Sequence, residues 1–119
     1  MKVTKRVAVY IASPYTKGDV AINVRESLLV ADKLLDLGFL PFCPLLSHFW
    51  HLISPKPYSE WMTMDLEWIL RCDALLRLPG RSSGADDEYR FAKQHGIPVF
   101  LSIEDLKKWS KGEANVKRP

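Results

Sequence analysis

The sequence predicts an α/β fold: a small parallel β-sheet with helices on both faces. Three observations carry this. Apolar runs rich in β-branched or aromatic residues recur at 6–12 (RVAVYIA), 39–43 (FLPFC), 73–78 (DALLRL) and 97–101 (IPVFL). The runs at 6–12 and 97–101 are nearly continuous in hydrophobicity, as strands covered on both faces are. Longer segments of helical period separate the runs, and strand–helix alternation is the pattern of parallel sheets. The chain has 119 residues, 47% of them hydrophobic, which suits one domain over 1–119, with a core at about 6–110 and a short flexible C-terminal tail.

Taken in order, residues 6–12 form the first strand, closed by Ser13-Pro14. The turn TKGD leads into a helix over about 20–37, where Val24, Leu28, Ala31 and Leu35 make one apolar stripe and Gly38 marks the end. The second strand, 39–43, carries Pro41 and is followed by Pro44, which places it at a sheet edge. Residues 44–58 read as a long connection rich in Pro, His and aromatics, and so as a functional or mobile loop. A helix over 59–71 precedes the third strand. Pro79-Gly80 closes that strand, RSSG (81–84) is a turn, and a helix passes through Glu88, Phe91 and Ala92 to Gly96. The fourth strand and a terminal helix over 103–110 complete the chain.

Bulk properties exclude several classes. Net charge is +3, and much of the positive charge sits at the chain ends. There is no basic stripe with interleaved aromatics of the kind a nucleic-acid partner requires. No apolar run approaches the roughly 18 residues of a membrane span. Residues 1–15 are basic then apolar, but the apolar stretch is short and runs into Pro14, which reads as a first strand and not a leader. Cys43 and Cys72 lack metal-site or disulfide spacing and read as small core residues in a reducing compartment, so the expected location is cytoplasmic. His48 and His51 flank Phe49 and Trp50 without a carboxylate or cysteine to complete a metal site; no metal and no cofactor are expected. The aromatics of that loop could instead stack a base or exclude water.

In open parallel sheets, ligands bind beyond the carboxyl ends of the strands. That rule selects 12–18, 43–58 and 79–88, where the unusual polar residues gather. In the last segment Ser82, Ser83 and Gly84 open a helix whose free N–H groups suit an anion, while Ser83-x-x-Asp86 also fits a capping box. Glu88 lies one turn deeper than capping needs. Asp65 shares a helix face with Trp68, Ile69 and Cys72, and a carboxylate on a largely apolar face is costly unless it has a partner or a task. Glu67 falls on another side, and Asp73 can cap or pair locally. Tyr10 in strand one is followed by Ser13 in the turn.

Tyr10 in VYIASPYTKGD, Asp65 in DLEWI and Glu88 after a Ser-x-Gly turn together resemble the nucleoside 2-deoxyribosyltransferase superfamily, which includes 2′-deoxynucleoside 5′-monophosphate N-glycosidases. The stretch CDALLRLPGRSSGADDE is similar to an uncharacterised bacterial and phage branch, and the likeness spans about residues 6–101. The resemblance implies a flavodoxin-like, Rossmann-like three-layer fold, a homodimer or higher homo-oligomer, and a nucleoside or nucleotide as partner. It implies that Glu88 attacks C1′, Tyr10 orients Glu88, and Asp65 assists proton transfer to the base. Ser13, Ser82, Ser83 and Gly84 would bind substrate, with Ser82 where the monophosphate hydrolases carry a serine and the transferases an aspartate. The expected activity is hydrolysis of a nucleoside 5′-monophosphate, with base exchange or non-catalytic nucleotide sensing as the alternatives. The turn Ser13-Pro14-Tyr15-Thr16 lacks the arginine of the monophosphate hydrolases, which leaves Arg25 or Arg81 to supply the charge. Asp86 and Asp87 add negative charge near any phosphate.

Overall fold

The computed structural model describes residue 3 and residues 5–117, with side chains through residue 112. Four parallel strands, β1 (Ala8–Ala12), β2 (Leu40–Phe42), β3 (Ala74–Arg77) and β4 (Val99–Phe100), lie in the order β2-β1-β3-β4. The helices are α1 (Val20–Asp36), α2 (Ser47–Ile53), α3 (Tyr58–Arg71), α4 (Ser83–Gln94) and α5 (Ile103–Lys117). β2 is at an edge, as its prolines indicated.

Strand alternation splits the core in two. Val9, Ile11, Ala74 and Leu76 point to one face and pack with Leu34 of α1 and Leu106 of α5. Tyr10, Ala12 and Leu75 point to the other and pack with Ile69 of α3 and Ala85 and Ala92 of α4. The result is a three-layer α/β arrangement. Asp73, just before β3, accepts the Ala8 backbone N–H at 2.8 Å, so this carboxylate ties the start of β1 to its neighbour.

The structure corrects four expectations. Residues 44–58 are not an open loop: Pro44–Leu46 makes a 3-10 turn and Ser47–Ile53 is α2. The buried line of α1 is Val24, Ser27 and Leu34, not a stripe ending on Leu35, which is exposed. Spacings of three, then seven, fit the face as well as the chosen set, and Leu34 packs against Phe39 beyond the helix end. The α4 cap is Ser82, whose Oγ accepts the Ala85 N–H at 3.1 Å, one residue earlier than a Ser83–Asp86 box. Finally, α5 runs over Ile103–Lys117, longer than the helix expected over 103–110; residues 118 and 119 lie outside the described residues.

Chain order reverses between β1 and β3, since the chain passes from β1 to the edge and returns to the other side. Their carboxyl-end loops therefore diverge around a crevice. The loops also touch: a Cβ at Gly80 would lie 2.9 Å from Pro14 Cγ, and Gly80 has φ +115°. Only glycine suits both demands.

Candidate active site

Tyr10 is fully buried, and its place on β1 aims it at the α3/α4 face. Its hydroxyl donates to Glu88 Oε2 on α4 at 2.5 Å. Glu88 is itself buried at 5% exposure, one helical turn inside α4. Asp65 comes to the same place from α3. Its Oδ1 is buried without a hydrogen-bond partner, and the Tyr10 hydroxyl donates to Glu88.

The three groups share a charge problem. Burial raises the Glu88 carboxyl to about 8; the Tyr10 hydrogen bond opposes the rise, Asp65 adds to it, and Arg77 opposes it. Burial likewise raises Asp65 to about 7, with the Tyr10 hydroxyl pulling the other way. Tyr10 itself is raised well above its ordinary value by burial and by the neighbouring carboxylates. Carboxyls pushed into the neutral range in a cleft are what acid–base chemistry at neutral pH requires.

Glu88 and Asp65 open on a cleft of about 770 Å³ at the carboxyl ends of the strands. The turn after β1 lines one side with Ser13, Tyr15 and Lys17. The start of α4 lines another with Arg81, Ser82, Ser83 and Gly84. Thus Ser13, Asp65, Ser82, Ser83, Gly84 and Glu88 all meet at one cavity, with Tyr10 buried behind it. Ser13 Oγ is buried without a partner, a polar group left free at the cleft wall. Ser82 Oγ already accepts the cap hydrogen bond and keeps its proton free to donate. Gly84 lets α4 approach α3: a Cβ there would sit 2.8 Å from the Tyr58 hydroxyl.

Of the two candidate cations, Arg81 lines the cleft, whereas Arg25 is exposed on α1 beside Glu26. The added acids are neutralised. Arg77, whose side chain is 11% exposed, pairs with Asp86 at 2.7 Å and also donates to Leu78 and Ser82 carbonyls, lashing the β3–α4 turn together. Asp87 pairs with Arg90 at 2.5 Å. Glu67 lies exposed, opposite Asp65, 3.9 Å from Arg71.

Sequence reasoning missed Arg77, Lys56, Tyr58 and Trp61. Lys56, Tyr58 and Trp61 line the cleft from the far side. The histidines of α2 act within this wall: His48 Nδ1 meets the Tyr15 hydroxyl at 2.6 Å, and His51 Nδ1 accepts from Trp61 Nε1 at 2.8 Å. Alternation of His and aromatics was visible, but the positions of their partners depend on the fold. Among the described residues no cluster of three or more His, Cys, Asp or Glu side chains is arranged to hold a metal ion. Likewise, no described helix is long and apolar enough to cross a membrane.

The fold resembles that of a solved 2-deoxyribosyltransferase from the psychrotolerant bacterium Bacillus psychrosaccharolyticus. The two share 24% identity over 77% of this chain and 69% of that one, with a TM-score of 0.56. No curated protein matches the sequence. Residues 7–102, which include every strand and the whole cleft floor, match one family model, and the chain belongs to that family, the Domain of unknown function (DUF7768).

Proposed function

We propose that this protein cleaves the N-glycosidic bond of a nucleoside 5′-monophosphate, with Glu88 as nucleophile. The observation that carries the proposal is the buried Tyr10–Glu88 hydrogen bond of 2.5 Å at the floor of a cleft where Asp65 keeps an unpartnered oxygen. In the first step the Glu88 carboxylate attacks C1′ as the C1′–N bond breaks. The bonding pair leaves on the base nitrogen, and Asp65 supplies its proton. A water then attacks C1′ of the glycosyl ester and gives a proton to Asp65, and the ester C–O bond returns its electrons to Glu88. This is the double displacement of a retaining glycosidase. The positive charge that develops at the sugar draws the pair's negative charge onto Glu88, and the Tyr10 hydroxyl supports the carboxylate as it forms.

The phosphate would lie at the α4 N-terminus. There the helix dipole, free N–H groups, the Ser82 and Ser83 hydroxyls and Arg81 favour an anion. The pairing of Asp86 with Arg77 and of Asp87 with Arg90 offsets part of the negative charge near that position. Base exchange is the second reading, favoured by the fold shared with the 2-deoxyribosyltransferase; there a second base replaces water. A homodimer or higher homo-oligomer belongs to the same proposal, as does a cytoplasmic setting, with which the free buried Cys43 and Cys72 are in keeping.

The test is release of free base from a panel of nucleosides and 5′-monophosphates, followed by chromatography. Release without an added base is expected for hydrolysis, and release only with one for exchange. Glu88→Gln is expected to lose on the order of a thousandfold or more. Equal release by wild type and Glu88→Gln overturns the mechanism.

A further inference from the structure

His51 is held in a way the reaction above does not require. Its Nδ1 accepts two hydrogen bonds, from the Trp61 indole Nε1–H at 2.8 Å and from the Lys56 backbone N–H at 3.2 Å. Neither group can accept in return: an indole N–H and a backbone N–H are donors only. Nδ1 must therefore present a lone pair, and the neutral ring carries its proton on Nε2. This differs from His48, whose partner, the Tyr15 hydroxyl, can give or take. His51 lines the same cleft as Glu88 and Asp65, and its Nε2–H has no partner among the described residues. The edge-on contact of Trp61 with the ring, at 5.8 Å and 66°, further fixes its orientation.

We propose that His51 reads the base. Its fixed Nε2–H donates to a carbonyl oxygen on the leaving base, so the site selects oxo-bases over bases that present an amino group at that position. An amino group there would set donor against donor and leave both unsatisfied, the costly outcome for a site built around one hydrogen bond. Trp61 and Lys56 are positioning groups: they fix the tautomer, and His51 makes the contact. The inference rests on the N-glycosidase reading for its substrate, but the tautomer stands on the hydrogen bonds alone.

Two measurements test it. In a long-range ¹H–¹⁵N spectrum of the full-length protein, His51 is expected as the Nε2–H tautomer; the Nδ1–H tautomer overturns the proposal. In kinetics, inosine 5′-monophosphate is compared with adenosine 5′-monophosphate, and the corresponding uridine with the cytidine nucleotide, each in ribo and deoxy forms. Wild type is expected to favour the oxo member of at least one pair by on the order of 10- to 100-fold in kcat/KM. His51→Phe is expected to bring that ratio near unity, and His51→Gln, which keeps an N–H donor, to restore part of it. A purely structural role would lower both members alike and leave the ratio unmoved, which overturns the proposal. Should no nucleotide be cleaved, the reading of Glu88 fails by itself. The affinities of Glu88→Gln for the same paired nucleotides then decide the question for His51: equal affinities overturn it, and an oxo preference that His51→Phe abolishes supports it.

Discussion

At the residue scale, Glu88 is a carboxyl that water would ionise, buried to 5% exposure at the floor of the cleft. Its proton and that of Asp65 are governed together, with the two groups raised to about 8 and about 7. The proposed chemistry needs the pair to hold one proton. With two, there is no nucleophile; with none, there is no acid. With Asp65 raised to about 7 and Glu88 to about 8, the single proton rests mainly on Glu88, so the reacting arrangement, Glu88 ionised and Asp65 protonated, is the minor member of the one-proton state; the rate is still expected to peak between about 7 and about 8 and to fall on both sides. Tyr10→Phe deletes the hydroxyl that lowers both carboxyls, so the acid limb of the profile, and the basic limb with it, should move to higher pH. A profile of kcat/KM against pH for the two proteins checks this, and an acid limb that stays in place would remove Tyr10 from the orienting role. That Tyr10 and Glu88 belong together could be suspected from the sequence only through the family resemblance. They are 78 residues apart, and nothing local joins them. The fixation of His51 by Trp61 was less legible still, because indole and imidazole are each common in ordinary packing.

At the element scale, the strands and the edge position of β2 were legible because continuous burial and proline leave plain marks. Helix α2 was not. Seven residues between Pro44–Leu46 and Ser54-Pro55 give too few turns for a period to show, and none of them is buried. Its stability comes from contacts such as Trp50 with Trp61, with ring centroids 5.1 Å apart, which only the tertiary fold supplies. The face of α3 was legible, since one acid sat on an apolar line and another did not. Asp65→Asn is therefore expected to slow cleavage by about 100-fold or more, as loss of a general acid does, while Glu67→Gln, an exposed residue beside Arg71, changes little. Steady-state kinetics on the two variants decides; equal losses would refute the assignment of faces. At the start of α4, Ser82→Ala removes the cap on the Ala85 N–H and is expected to cost about 1 kcal/mol of stability, measured by denaturant unfolding. If Ser82 also meets phosphate, the same variant raises KM for a monophosphate more than for the matching nucleoside.

At the scale of the whole molecule, the site is a cost to the fold. Unfolded, Glu88 and Asp65 would have ordinary values of 4.5 and 3.8; folded, they rise to about 8 and about 7. Between those limits the folded protein holds protons that the unfolded chain has released. Stability must then be greatest at the acid end of the window and decline as pH climbs through it, the reverse of the usual salt-bridged carboxylate. Glu88→Gln with Asp65→Asn leaves two uncharged side chains of the same size in the same places, and so removes the slope. Relative to wild type, the double variant is expected to gain stability that grows by several kcal/mol between about pH 5 and about pH 8, since each unit of raised value is worth about 1.4 kcal/mol, and each kcal/mol raises Tm by about 4 °C. Thermal unfolding at the two pH values measures it directly. Because the same substitutions are expected to abolish cleavage, a variant that is more stable and inactive would show that the buried pair is kept at the expense of stability for what it does, as functional sites are. A double variant that loses stability at the higher pH would show instead that the pair is ionised and well satisfied in the folded protein, and that the cleft floor is structural.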